Sequence, residues 1–222
     1  MSADTRSHPV GGRIGAGRRR PVQQRSQERY ERILDACAAL LDEVGAAALT
    51  TKEVAQRARV PIGTLYQFFA GKEDLLAALA CRNLDHYLHR LDDRLHAEAP
   101  AGPDGFTDLA VEEFVAMKRT VPGFGRLDFG LTGASGVRDD RYLLDAAVDN
   151  NTAVALRLQA LGGELFATAD PAALTLGLRV ALEAADAVLG LAFRGDPQGD
   201  PAMIAECKRL VRCYLGEQLG RR

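Results

Sequence analysis

Residues 49–72 read LTTKEVAQRARVPIGTLYQFFAGK, the pattern of two short helices joined by a tight turn. Glu53 follows Thr50 by three residues, the spacing at which a hydroxyl and a carboxylate cap a helix start reciprocally. Val54, Ala55 and Ala58 then form one narrow apolar stripe. Pro61 suits the opening of a second helix, because its missing N–H costs nothing in a first turn. Ile62, Leu65, Tyr66 and Phe69 recur at three- and four-residue steps and predict a buried face. Gly63, Thr64, Gln67 and Phe68 fall on the opposite face. A short helix that buries one side and presents small, hydroxyl and amide groups on the other suits insertion into a DNA major groove.

Working outward, residues 25–44 place Tyr30, Ile33, Leu34, Cys37, Leu40, Leu41 and Val44 on one helical stripe, which Gly45 is placed to stop. From Lys72 a long helix runs to residue 98, with acidic residues in its first turn and leucines along one side. Further helices are predicted over residues 106–120, 138–161, 171–193 and 203–219. Residues 99–105 form a loop, and the glycine- and aromatic-rich stretch 121–136 is expected to be irregular. Strand patterns and internal repeats are absent. The predicted fold is all-α, with a small head on a larger helical body. Its expected divisions are a disordered basic arm at 1–22, a head at 23–87 and a body at 88–222.

Charge divides along the same line. Residues 1–80 hold 12 Lys/Arg against 9 Asp/Glu, a net of +3, so the remaining chain carries −5 of the total −2. A mildly basic head on an acidic body fits a protein that faces DNA with one part only. Arg18, Arg19 and Arg20 reach toward phosphates or a minor groove on one reading and form a solvated tail on the other. The four cysteines lack metal or redox spacing, and His86 with His89 is a weak metal signal on its own. No triad or metallohydrolase motif supports catalysis, and no cofactor is expected. The first twenty residues have no apolar segment of signal-peptide type and no run approaches a membrane span, so the expected location is the cytoplasm, with no membrane partner.

From Thr50 through Leu75, the residues T, VA, A, V, GTLY, F, K and L stand at the spacing of the DNA-binding domain of the tetracycline-repressor (TetR) family, which the chain resembles over about residues 24–87. The resemblance implies a helix-turn-helix regulator. It assigns phosphate contacts to Thr51 and Lys72, a base or backbone contact to Lys52, and base contacts to Ile62, Gly63 and Thr64 at the tip of the second helix, with Thr50 and Pro61 framing them. Tyr66, Gln67 and Phe68 match positions on its exposed side, although Tyr66 also fits the core period. Two residues depart from the family's pattern. Arg59 stands where glycine is usual in the turn, which implies strain if φ is positive there. Phe68 stands where a polar side chain is common, and a phenyl ring cannot donate to phosphate.

In the body, Phe114, Met117, Phe124, Leu127 and Phe129 are candidates to line a ligand pocket, and ordinary core packing accounts for them equally. Asn150 and Glu183, with Asp145, Asp149 and Asp186, are polar residues on otherwise apolar helices and face either a cavity or solvent. The last two helices are expected to pair with those of a second copy. Gly177, Ala181, Ala184, Ala185 and Gly190 would permit close approach there. The function expected is that of a homodimeric repressor released from a palindromic double-stranded DNA operator by a small-molecule ligand. An activator, or a ligand-independent DNA binder of the same fold, would share the head.

Overall fold

The computed structural model describes residues 19–129, 144, 149–166 and 170–219, and every regular element among them is helical. Helix α1 covers Arg19–Ala48, α2 Thr51–Arg57, α3 Ile62–Leu65 and α4 Lys72–Glu98. Helices α5 at Pro103–Thr120, α6 at Asn150–Gly162, α7 at Pro171–Ala192 and α8 at Pro201–Gln218 complete the order, with one 3₁₀ turn at Gly163–Phe166. The first helix begins inside the stretch predicted to be disordered, so Arg19 and Arg20 belong to its opening turn; Arg18 lies outside the described residues. It breaks where the sequence places its stop, at Gly45, whose φ of 74° is open to glycine at little cost.

The head core gathers Ile33, Leu34, Cys37 and Leu41 of α1, Val54 and Ala55 of α2, Leu65 of α3, and Phe69. Burial pushes the Cys37 thiol up to about 12, so it packs as a small apolar group. An exposed ion pair of Arg57 with Glu43 at 2.6 Å ties α2 to α1. Helix α4 is the shared spine. Leu75, Leu76, Leu79 and Ala80 on its first half belong to the head core, whereas Leu84, Tyr87 and Leu91 on its second half belong to the body core. At 27 residues it runs about 40 Å.

In the body, α7 and α8 pack as an antiparallel pair, with α5 against α8 and α6 against α7. Gly177 faces α8, where a Cβ would lie 3.5 Å from a Leu215 methyl, an ordinary contact, so this packing does not demand glycine. Aspartates cap three of these helices. Asp149 accepts from Thr152 N at 3.0 Å, Asp170 from Ala173 N at 2.8 Å and Asp200 from Ala202 N at 2.8 Å. A belt of ion pairs joins α4, α5 and α8. Arg94 meets Glu112 at 2.8 Å, Lys208 meets Glu112, Arg212 meets Asp108 at 2.6 Å, and Arg90 meets the buried Glu113 at 2.5 Å.

The helix predicted over 138–161 is observed only from Asn150, capped by Asp149; residues 138–143 and 145–148, with Asp145, lie outside the described residues. The stretch after α5 is irregular through residue 129, as its glycines and aromatics suggest.

Candidate nucleic-acid interface and body cavity

Helix α2 starts on a reciprocal cap: the Thr50 hydroxyl accepts from Glu53 N at 3.3 Å and donates to the Glu53 carboxylate at 2.6 Å. Thr51, next in sequence, lies 3.1 Å from the Tyr66 hydroxyl, so the start of α2 is bonded to the far end of α3. Lys52 beside it is exposed. These contacts set α2 and α3 as one unit with a common outward face.

That face differs from the predicted one. Helix α3 has a single turn, and the chain continues through turns over residues 66–68. Only Leu65 and Phe69 point into the core, each at most 2% exposed. Ile62 and Tyr66, which the apolar period put on the buried side and the family resemblance on the exposed one, stand 42% and 53% exposed. Phe68, expected outward, is half-buried instead, because the turn after Leu65 swings its ring onto Tyr30 at 5.9 Å between ring centres. It therefore packs the head and is removed from the outward face. Pro61, Gly63 and Gln67 are exposed and Thr64 is half-buried. A Cβ added at Gly63 would meet nothing within 4 Å, so packing within the chain does not require glycine there.

Arg59 carries the turn between α2 and α3 with φ of 55°, the left-handed region that the departure from glycine put in question. Lys72 opens α4, and its ammonium donates to the Ala47 carbonyl at 3.3 Å across the head. It is half-buried beside the end of α1, placed to tie the two helices together whether or not it also meets phosphate.

The body contains a cavity of about 80 Å³ walled by α4, α5, α6, α7 and α8. Of the predicted lining residues, Phe114 and Phe129 are there, and so is Asp186 of α7. The others are not. Met117 and Phe124 are fully buried in the body core, and the Phe124 ring packs edge-on behind Phe114 at 5.3 Å and Phe129 at 5.6 Å. Leu127 belongs to the head core. Asn150 is turned to the backbone, donating to Phe129 O at 3.2 Å and accepting from Leu144 N at 2.7 Å. Glu183 is half-buried on α7 outside the lining. Asp149 also stays at the surface, 3.1 Å from Arg179. Burial opposes its charge, but hydrogen bonds from Thr152 and the Arg179 guanidinium outweigh that and hold its carboxyl below the usual range.

Sequence reading missed Tyr87, Phe106, Thr107, Asn151 and Leu178, all of which line the cavity. Tyr87 and Leu178 sit on apolar helical stripes, where a cavity wall and a packed core have the same periodicity. The Tyr87 hydroxyl donates to Ala110 O at 3.0 Å, and burial, then the nearby Glu113, pushes its pKa up.

The segment after α5 bridges cavity and head. Phe129 lines the cavity, Leu127 two residues earlier enters the head core, and the buried Asn83 amide of α4 donates to Leu127 O at 2.7 Å and Asp128 O at 3.2 Å. Gly123, with φ of 76°, presses on α1 so closely that a Cβ would lie 2.9 Å from the Ala38 backbone. Its N–H donates to the Asp42 carboxylate at 2.7 Å.

A three-helix head with an exposed helix-turn-helix face, joined by a long spine helix to a hollow helical body, defines the class of helix-turn-helix regulators with a sensing domain. Residues 33–79 match the model described as bacterial regulatory proteins, tetR family, and residues 101–219 match the tetracyclin repressor-like C-terminal domain. The chain belongs to the tetR family.

Similar curated proteins include the HTH-type transcriptional repressor KstR of Rhodococcus jostii, 41% identical over 68 residues, which are 31% of this chain and 30% of that protein. KstR of Mycobacterium tuberculosis is 37% identical over 83 residues, 37% of this chain and 36% of the relative. These matches thus span about a third of the relatives' own length. Among solved structures, a TetR-family transcriptional regulator from Streptomyces coelicolor is 42% identical with a TM-score of 0.73, covering 85% of this chain and 98% of that one. FadR from Bacillus subtilis, solved with stearoyl-CoA, shares the fold at 16% identity and a TM-score of 0.58, over 87% of this chain and 99% of that one.

No helix among the described residues is long and apolar enough to cross a membrane.

Proposed function

We propose that this chain is a homodimeric transcriptional repressor that holds a palindromic operator and leaves it when a small molecule occupies the body cavity. The observation that carries the DNA reading is the outward face of α2 and α3. Ile62, Gly63, Tyr66 and Gln67 stand exposed there beside Lys52, and the fold gives Gly63 no internal reason to lack a side chain. Apolar and small groups of this kind suit thymine methyls and close approach to base edges, with Lys52 and the Thr51 hydroxyl at the phosphates. Lys72 and the arginines that open α1 would add contacts that do not depend on sequence. Acting on bacterial DNA places the protein in the cytoplasm.

A second copy is the partner best suited to α7 and α8. Leu174, Leu178, Ala181 and Leu189 bury one side of α7 in the body. Its other side still carries Leu176 at 60%, Val180 at 40% and Leu191 at 48% exposure, with Ala173 and Ala187 completing a heptad-like stripe. Leu210 of α8 adds a further exposed leucine, 45% open. Two such faces meeting about a two-fold axis would hold two heads roughly 34 Å apart, one turn of DNA. A ligand that moves Phe129 or Tyr87 would reach the head through Leu127, Gly123 and α4. By linkage it weakens DNA binding as much as DNA weakens ligand binding.

Gly63→Ala tests the DNA face apart from the fold. The thermal midpoint should hold or rise slightly, because alanine favours a helix by about 0.5–1 kcal/mol over glycine. Affinity for a DNA fragment enriched by the wild-type protein, read by fluorescence anisotropy, should fall about tenfold or more. Unchanged affinity would count against this face as the reader.

A further inference from the structure

Two adjacent asparagines open α6, and they have different surroundings. Asn150 spends its amide on Phe129 O and Leu144 N. Asn151 is 2% exposed, lines the cavity, and its amide nitrogen has no hydrogen-bond partner among the described residues. A buried N–H₂ without an acceptor is costly in a folded protein and is retained where something else supplies the acceptor. The rest of the described wall is mostly hydrocarbon and aromatic, with Tyr87, Thr107 and Asp186 as its other polar side chains and no Lys, Arg or His; the Tyr87 hydroxyl is spent on Ala110 O. The Thr107 hydroxyl already donates to Pro103 O at 2.8 Å.

From this we infer that Asn151 is the polar reader of the cavity, and that the group it reads is an uncharged carbonyl on a compact apolar ligand. The carbonyl oxygen accepts from the Asn151 amide, and the carbon skeleton lies against Phe106, Phe114, Phe129 and Leu178. A carboxylate or phosphate is disfavoured, since the described wall residues offer it no Lys, Arg or His to neutralise its charge. A volume of about 80 Å³ exceeds several times what one water needs, which leaves room for a compact apolar group. The inference rests on the effector reading of the cavity given above, but direct binding tests it without DNA.

The full chain is titrated by ligand-observed NMR with cyclohexanone, with methylenecyclohexane, which has nearly the same shape and no acceptor, and with cyclohexanecarboxylate. The ketone should bind about fivefold or more tighter than the hydrocarbon, the return on one hydrogen bond to a buried donor, and tighter than the carboxylate. In Asn151→Leu that preference should collapse while hydrocarbon binding persists, and the free variant should melt no lower than wild type. Asn151→Ala, checked by circular dichroism, serves if the leucine does not fit. Equal binding of ketone and hydrocarbon, a preference that survives both substitutions, or no binding of any probe would overturn the assignment. DNA affinity measured on the same samples separates the outcomes. A ketone preference in a protein that binds no DNA removes the repressor reading and leaves Asn151 in its role.

Discussion

Arg59 shows how a single residue records a compromise. Its φ of 55° is a conformation that costs an L-residue roughly 1–2 kcal/mol and a glycine almost nothing. Arg59→Gly should therefore raise the urea midpoint, by about 1 kcal/mol of stability with an unchanged slope; a fall would mean that the arginine side chain contributes more to the head than its exposure suggests. The strain was legible in the sequence, because Arg59 interrupts a pattern that has glycine there. The apolar period misplaced Ile62, Tyr66 and Phe68, although the family resemblance had put Ile62 and Tyr66 on the exposed side. A period of three and four residues assumes a helix that continues, whereas α3 makes one turn and then bends, which exposes Ile62 and Tyr66 and folds Phe68 onto Tyr30. Asn151 was missed for a related reason: next to Asn150, only a rotation of about 100° along the helix decides which one reaches the cavity.

At the level of elements, amphipathic stripes located the helices well and their starts less well. The span of α4 was readable to the residue, since Lys72 follows Gly71 and the leucine pattern runs without interruption to Glu98. Helices α5 and α8 begin earlier than the stripe suggests, because Pro103 and Pro201 occupy first turns and Asp200 caps the latter. What no stripe reveals is how α4 and α5 lock together. Glu113 of α5, 3% exposed, meets Arg90 of α4 at 2.5 Å and lies 3.8 Å from Arg94. Glu113→Ala strips two arginines of a buried partner; both are still about a third exposed and can turn to water, so the cost should be about 2–3 kcal/mol, below the full figure for a buried pair. Chemical denaturation measures it, and a loss under about 0.5 kcal/mol would show that the belt contributes little.

For the whole molecule, the division into a DNA-facing head and an acidic body was visible in the charge count and the motif, but the packing of α7 was not. Gly177, Ala181 and Ala185 were expected to face a second copy. They turn inward instead, Gly177 toward Leu215 of α8 and the two alanines toward the cavity. Sequence alone cannot separate two apolar sides of one helix, and here large exposed residues, Leu176, Val180 and Leu191, mark the side that the protomer leaves uncovered. Leu176→Glu with Leu191→Glu should convert a dimer to a monomer by gel filtration at micromolar concentration without lowering the thermal midpoint of the protomer's own core, and DNA affinity should collapse with it. A wild-type protein that elutes as a monomer would remove the paired-head mechanism. The most direct test of the central claim is selection from a random-sequence DNA pool by the wild-type protein, followed by sequencing of the bound fraction. The account predicts enrichment of an inverted repeat whose half-sites lie about one helical turn apart, lost when Gly63→Ala replaces the wild type. No enrichment, or a single unrepeated site bound equally by both proteins, would contradict it.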